Sequence, residues 1–242
     1  LDWWKVNVAA DVQYGHLSAN LRDFSSPDRT TVYTSLTNVF SLGSLEAYAT
    51  LLYLNARDSF RNPGSGRGKA SRDAFMPSVV ARLRLSDGLS VNGFAKRSYR
   101  LPTFNDLYYA DMGNSKLNPE SALQYDLGFV LNKDWKQGVV DHFRLQVDGY
   151  YNTVHDKIVA YPKGQQFRWK MLNLGKVHIK GVDAMAEVGL EPAKDLKVTA
   201  RLQYTYQDAR DVTNPNTSYY KDQIPYIPWN SGSAILALSW RE

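Results

Sequence analysis

The stretch Leu196-Lys197-Val198-Thr199-Ala200-Arg201-Leu202-Gln203-Tyr204-Thr205-Tyr206 alternates an apolar or aromatic side chain with a polar or small one throughout. A period of two belongs to a pleated strand, whose successive side chains leave on opposite faces, so one face meets apolar surroundings and the other water. The same pattern sets Trp4, Val6, Val8, Ala10, Val12 and Tyr14 against Lys5, Asn7, Ala9, Asp11 and Gln13. It sets Leu123, Tyr125, Leu127, Phe129 and Leu131 against Gln124, Asp126 and Gly128, and Phe143, Leu145 and Val147 against Arg144, Gln146 and Asp148. A second strand reads ambiguously, because Val32, Thr34 and Leu36 compete with Tyr33, Ser35 and Val39 for the apolar face. Helical periodicity is confined to a turn or two around Pro102 to Tyr109.

Worked outward, the pattern predicts an all-β chain of ten long antiparallel meander strands, at 3–21, 29–41, 45–57, 73–85, 89–100, 121–133, 141–158, 170–190, 196–210 and 230–241. The connections alternate. Short ones fall at 42–44, 86–88, 134–140 and 191–195, and long ones at 22–28, 58–72, 101–120, 159–169 and 211–229. That segregation puts tight turns on one rim and long loops on the other, as in an outer-membrane barrel, whereas a soluble sandwich has no reason for it. Strands of about 18 residues, roughly 60 Å, also exceed the usual sandwich strand of about 5–6 residues. Trp4 and Tyr14 lie ten positions apart, as do Tyr125 and Trp135. Ten residues rise about 25 Å in a strand tilted by about 40°, the height of the apolar band between aromatic girdles. The even positions of 4–14, the odd positions of 123–131 and the even positions of 196–206 are therefore expected to face lipid. Asp126, Asp148, Asp183, Glu187, Arg201 and Gln203 are expected to face the lumen, and Lys170 and Lys176 to sit on a strand end protruding above the membrane.

The 242 residues include 16 Tyr, 9 Phe, 6 Trp and no Cys, an ordered composition that excludes a disulfide scaffold, a Cys-ligated metal and a thiol nucleophile. A formal charge of +5 permits anionic partners such as lipopolysaccharide without selecting one, and no run of apolar residues is long enough for a transmembrane helix. The Gly-rich run Pro63 to Ala70 fails as a phosphate loop, since Pro63 stands where the first Gly belongs and Ala70 where Ser or Thr belongs. His16, His142, His155 and His178 lack close metal-ligand spacing, and no nucleophile elbow or singled-out carboxylate pair occurs. No enzyme, cofactor, metal or nucleic-acid partner is expected. The long loops carry aromatic and charged side chains, with Phe104, Tyr108 and Tyr109 in one, Phe167, Arg168 and Trp169 in another, and Tyr219, Tyr220, Tyr226 and Trp229 in a third. Of these, Phe104, Tyr108, Tyr109, Phe167, Trp169, Tyr219 and Tyr220 are the candidate ligand contacts, because aromatics on loops held by a rigid sheet suit a bulky ligand; the alternative is that they pack on one another.

Ser98-Tyr99-Arg100-Leu101-Pro102-Thr103-Phe104-Asn105-Asp106-Leu107-Tyr108-Tyr109, then Gly113-Asn114 and Leu117-Asn118-Pro119-Glu120, resembles a segment of TonB-dependent outer-membrane receptors. Tyr150-Tyr151-Asn152-Thr153, Asn173-Leu174-Gly175, Ile179-Lys180-Gly181-Val182-Asp183 and Ile224-Pro225-Tyr226-Ile227-Pro228 resemble the strands that follow in that family, which more often has Glu where Asp183 stands. The resemblance is clear over 98–242 and architectural over 1–97. It gives Arg100, Pro102, Leu107, Pro119, Glu120 and Gly181 the standing of structural motif residues. It implies part of a barrel of about 22 strands in a Gram-negative outer membrane, which binds a small molecule or metal chelate (iron-siderophore, haem or cobalamin) and imports it with energy from TonB. On that reading residues 1–242 are one barrel fragment, lacking a plug domain, a TonB-contacting segment and the closing strands. A passive porin or adhesin-like barrel and a soluble carbohydrate-binding or carbohydrate-acting β protein are the alternatives.

Overall fold

In the computed structural model, residues 2–20, 24–62, 66–109, 112–163 and 168–240 are described. Ten strands follow in order: β1 (Trp4–His16), β2 (Asp28–Leu42), β3 (Leu45–Asn62), β4 (Gly66–Arg84), β5 (Leu89–Arg100), β6 (Glu120–Asp134), β7 (Val140–Lys163), β8 (Arg168–Ala193), β9 (Leu196–Asp211) and β10 (Asn230–Trp240). One short helix, α1 (Phe104–Tyr108), lies between β5 and β6. The strands form a single antiparallel sheet in sequence order, each paired with its chain neighbour, and β1 and β10 each have one neighbour, so the sheet is open. Two-residue turns close the short rim where local chemistry permits them: Gly43 takes φ 63° between β2 and β3, the positive φ such hairpin turns require.

Register turns three separate sequence patterns into one surface. Val8 pairs with Leu36, Leu36 with Leu51, Leu51 with Pro77, and further on Phe129 with Val147, Val147 with Ala184, Ala184 with Tyr204 and Tyr204 with Gly232. Paired residues share a face, so the even positions of β1, the odd positions of β6 and the even positions of β9 lie on the same side. That side is bare: Val8 is 74%, Leu127 68% and Leu238 69% exposed. Toward the short turns it carries Trp4, Trp135 and Trp240; toward the long connections it carries Tyr14, Phe75, Tyr125, Tyr151, Tyr204 and Tyr206. Register also settles β2, where Val32 pairs with Val12 on the bare face while Tyr33 packs with Leu54 on the other.

The buried apolar side chains collect on the opposite face, at the long-connection rim. Leu54, Ala56 and Met76 form one cluster, Leu107, Leu117 and Ile158 a second, and Val154, Val177, Ile179, Ala209 and Ile224 a third. The last two include residues of the β5–β6 and β9–β10 connections, so these loops fold inward and cover the sheet's inner face. Nearer mid-strand that face is polar, with Asp126, Asp148, Asp183, Glu187, Arg201 and Gln203 all on it by register. No second sheet stacks on the bare face among the described residues, which removes the basis for a soluble sandwich.

Two expected loops are strand instead. Positions 58–72 pair out to Asn62–Gly66, and 159–169 pair out to Lys163–Arg168, giving β7 and β8 lengths of 24 and 26 residues. In the first of these, Ser59 faces Lys69 and Arg61 faces Arg67 on one side of the sheet, while Phe60 stands opposite Gly68 on the other, so the side expected to be apolar is polar and the period that marks a half-buried strand is missing. β1 stops at His16, where the backbone hands over to a loop bond from the Leu17 N–H to the Pro27 carbonyl.

Candidate functional site: the loop-covered rim

The site is assembled at the rim of long connections, from a latch that fixes one loop and a groove between two others. The latch begins at Arg100, the last residue of β5. Its guanidinium donates to Glu120 Oε1 at 2.9 Å and to Asp106 Oδ2 at 3.1 Å, and Glu120 Oε1 also accepts the Ile158 N–H at 2.6 Å. Three elements (β5, β6 and β7) thus meet at one carboxylate. Asp106 closes a capping box with Thr103, whose hydroxyl accepts the Asp106 N–H at 3.1 Å while Asp106 Oδ2 accepts the Thr103 N–H at 2.9 Å. Pro102 and Leu107 are buried, and Pro119 is half-buried at the start of β6.

Arg29 holds the loop from the other side. It forks onto Asp58 at 2.7 and 2.8 Å, donates to the Pro102 carbonyl at 2.8 Å and lies 5.1 Å from the Phe104 ring. Arg72 donates to the same Asp58 at 3.2 Å, so a buried carboxylate is compensated by two guanidiniums. Tyr108 packs against Phe60 and Phe104, with ring centroids 5.7 and 6.3 Å away, and burial, followed by the Asp58 charge, raises its hydroxyl pKa. Outside this loop, Asp28 accepts from the Tyr14 hydroxyl and faces His16, and these hydrogen bonds, Tyr14's first, lower its pKa.

The groove lies between the outer end of the β7–β8 hairpin and the β9–β10 connection. It encloses about 970 Å³ and is lined by Tyr161, Trp169, Leu172, Leu174, Tyr219, Ile224 and Tyr226, with Asn173, Thr213 and Asp222 among its polar groups. The Trp169 and Tyr226 rings stand 5.6 Å apart, and Tyr219 and Tyr226 are 56% and 76% exposed. Aromatic faces with a few polar groups suit an amphipathic ligand.

The candidate aromatics therefore separate. Trp169 and Tyr219 share the groove, joined by Tyr226 and by Tyr161. Tyr161 was missed because 159–169 reads as loop, and the cue was the Val159/Tyr161 alternation continuing that of β7. Phe104 and Tyr108 are half-buried in the latch, Tyr109 is exposed beside it, and Tyr220 stacks under the Lys221 ammonium outside the groove lining. Phe167 lies outside the described residues. Gly181 belongs to mid-wall: a Cβ there would collide with the Tyr150 hydroxyl and the Tyr206 carbonyl, so the glycine admits the Tyr150 ring against the sheet. Nearby, Asp126, Asp183, Gln124, Asn152 and Gln207 line a smaller cavity of about 410 Å³. Among the described residues no group of side chains has the arrangement of a metal site.

A one-layer meander with one bare apolar face, aromatic rows at both ends and an inner face capped by folded loops defines the wall of a β-barrel. Residues 2–242 match the family model described as TonB dependent receptor-like, beta-barrel, and the chain belongs to that family. It is 26% identical over 115 residues to a vitamin B12 transporter, BtuB, of Vibrio vulnificus (strain YJ016), a match covering 47% of this chain and 16% of the transporter. It is 25% identical over 136 residues to the BtuB of Photobacterium profundum, covering 55% and 20%. The fold matches the copper transporter OprC with TM-score 0.73 at 15% identity, covering 100% of this chain and 39% of that one. It matches the FrpB iron transporter of Neisseria meningitidis (F3-3 variant) with TM-score 0.65 at 13% identity, covering 100% and 38%. The chain thus corresponds to well under half of each of these proteins.

Proposed function

We propose that this chain is part of the barrel wall of an outer-membrane active-transport receptor, which binds a scarce ligand at its loop-covered rim and imports it with TonB-supplied energy. The observation that carries the proposal is the bare apolar face continuous across all ten strands and bracketed by aromatic rows. Such a face is stable against hydrocarbon and costly against water. The long-connection rim is then extracellular, the polar inner face lines a lumen occupied by the plug domain of the full-length receptor, and TonB acts through the part of that receptor preceding the barrel. Iron-siderophore, haem and cobalamin are the ligand classes, and import is binding and gated passage with no bond made or broken in the ligand. Phe104, Tyr108, Tyr109, Phe167, Trp169, Tyr219 and Tyr220 remain the proposed contacts, and the groove gives Trp169 and Tyr219 precedence. The latch supports this assignment by holding the β5–β6 loop at a fixed height beside the groove.

The face assignment is tested in the full-length receptor. Leu127→Arg and Leu202→Arg each place a guanidinium at mid-band and should cost about 2–4 kcal/mol in barrel assembly. Gln203→Arg, one position along on the inner face, should assemble normally. Heat-modifiable gel mobility of outer-membrane extracts reads the outcome, and equal tolerance at all three positions refutes the proposal.

A further inference from the structure

The wall is slit between β4 and β5. β4 pairs with β3 along its whole length, out to Gly66 opposite Asn62, but with β5 only from Arg84 to Ser78. The ladder to β5 ends at Pro77, which has no N–H to donate. Beyond it the chain of β5 leaves β4, and Tyr99 and Leu101 pack against the inner-face cluster of Leu54, Ala56 and Met76. Which backbone groups this strands follows from the pairing. The Arg84 N–H bonds the Ser44 carbonyl, and the Leu85 N–H bonds the Leu89 carbonyl. Even positions of β4 therefore turn their backbone groups to β3, and odd positions turn theirs to the β5 side. The outward N–H and C=O groups of Arg67, Lys69, Ser71, Asp73 and Phe75 consequently meet no strand, and no group among the described residues bonds to them. All five residues are exposed, so about 26 Å of strand edge stands open above Phe75 of the upper aromatic row.

An unpaired edge is a template for another strand. We propose that residues 67–75 of β4 form a strand-docking site for an extended peptide segment of a partner protein, one that alternates acidic and apolar side chains. The backbone edge supplies the hydrogen bonds, and the two faces of the sheet supply the choice of side chains. On the outer face the docked strand meets Lys69 and Arg67, backed on β3 by Arg57 and Arg61, against the single acid Asp73 of β4. Arg57, Arg61 and Lys69 have no ion-pair partner among the described residues, while Arg67 reaches Asp28 at 3.1 Å. On the inner face β4 offers only Gly68, Ala70 and Ala74 beside Arg72, which is turned to Asp58, so room is left for apolar side chains. A second copy of the receptor does not suit the edge. Two copies upright in one membrane bring their β4 strands together in parallel, which sets Arg67 and Lys69 of one beside the same cations of the other. The membrane reading above enters only in placing this edge, and so the partner, outside the cell.

The test uses the full-length receptor in detergent micelles, titrated into a fluorescein-labelled peptide that alternates Glu and Val over about eight residues, the span of the edge. Fluorescence anisotropy should show saturable binding to the wild type. The same peptide N-methylated throughout, which has no N–H to offer, should bind about tenfold more weakly or worse, and so should a peptide alternating Lys and Val. Ser71→Pro removes one outward N–H without touching the ladder to β3, and should weaken binding about tenfold. Lys69→Gln, which leaves the backbone unaltered, should weaken it about threefold and decides the matter if Ser71→Pro does not assemble. Lys133→Gln, at the short-turn end of β6, should leave binding unchanged. Wild-type affinity in both edge variants, undiminished binding of the N-methylated peptide, or no saturable binding to the wild type would each overturn the proposal. Heat-modifiable mobility, run in parallel, separates the two levels: an assembled barrel that ignores the peptide sinks the docking edge alone, while peptide binding by a receptor without that mobility sinks the membrane reading alone.

Discussion

Glu120 shows how much one side chain at the rim holds. Its Oε1 accepts from Arg100 and from the Ile158 N–H, so its loss leaves that backbone donor without its acceptor and Arg100 with Asp106 alone. Leaving such groups unsatisfied costs about 1–3 kcal/mol. Glu120→Ala is therefore expected to loosen the β5–β6 loop by about that amount while the strands below stay paired. Hydrogen exchange reads it at the Leu107 N–H, bonded to the Thr103 carbonyl in α1; unchanged protection there would contradict the latch. Glu120→Gln keeps an acceptor for Ile158 but not the ion pair, and should fall between. The Arg-x-Pro and Pro-Glu signatures were legible as family motifs, but their shared partner was not, because Ile158 contributes a backbone group 38 positions downstream. Arg29 and Asp58 carried a fainter signal, opposite charges on adjacent strands whose register no local pattern discloses.

At the scale of elements, alternation identified every strand whose one face is apolar, and β6 and β9 came out within a residue or so of their bounds. It failed at the outer ends of β3–β4 and β7–β8, where Arg61, Arg67 and Lys69 in the first and Lys163, Arg168 and Lys170 in the second interrupt the apolar alternation while backbone pairing continues the hairpin. The second extension matters for function, since it carries Tyr161 and Trp169 up to the β9–β10 connection and so builds the groove. An aromatic pair that grips a ligand loses about 1–2 kcal/mol, roughly a five- to thirtyfold drop in affinity, when either ring is truncated. Trp169→Ala and Tyr226→Ala are expected to show that loss, measured by fluorescence titration of the full-length receptor with the proposed ligand classes, cobalamin, haem and ferric siderophores. Tyr220→Ala, outside the lining, should leave affinity within about twofold, and a larger effect there than at Trp169 would move the site away from the groove.

For the molecule as a whole, the decisive fact is that its hydrophobic surface points away from its own loops. A soluble domain of this size hides such a face against a second layer, whereas here β1 to β10 are all one layer. The sequence displayed the face but not the closure: alternation says which side chains share a side, and is silent on what that side meets. Two consequences follow for residues 1–242 taken alone. The bare face requires detergent, and the free edges of β1 and β10, each a row of unpaired N–H and C=O groups, invite another strand to pair with them. The isolated chain in detergent is therefore expected to self-associate through its edges, with mass by light scattering at twice the 27.4 kDa chain or above. Dilution of detergent alone should not dissolve these assemblies, because they are held by backbone ladders; adding a peptide strand that pairs with each edge should, by occupying both. A stable, detergent-free monomer would show that the two edges and the apolar face had found partners within this chain, and would contradict the open wall on which the transport reading stands.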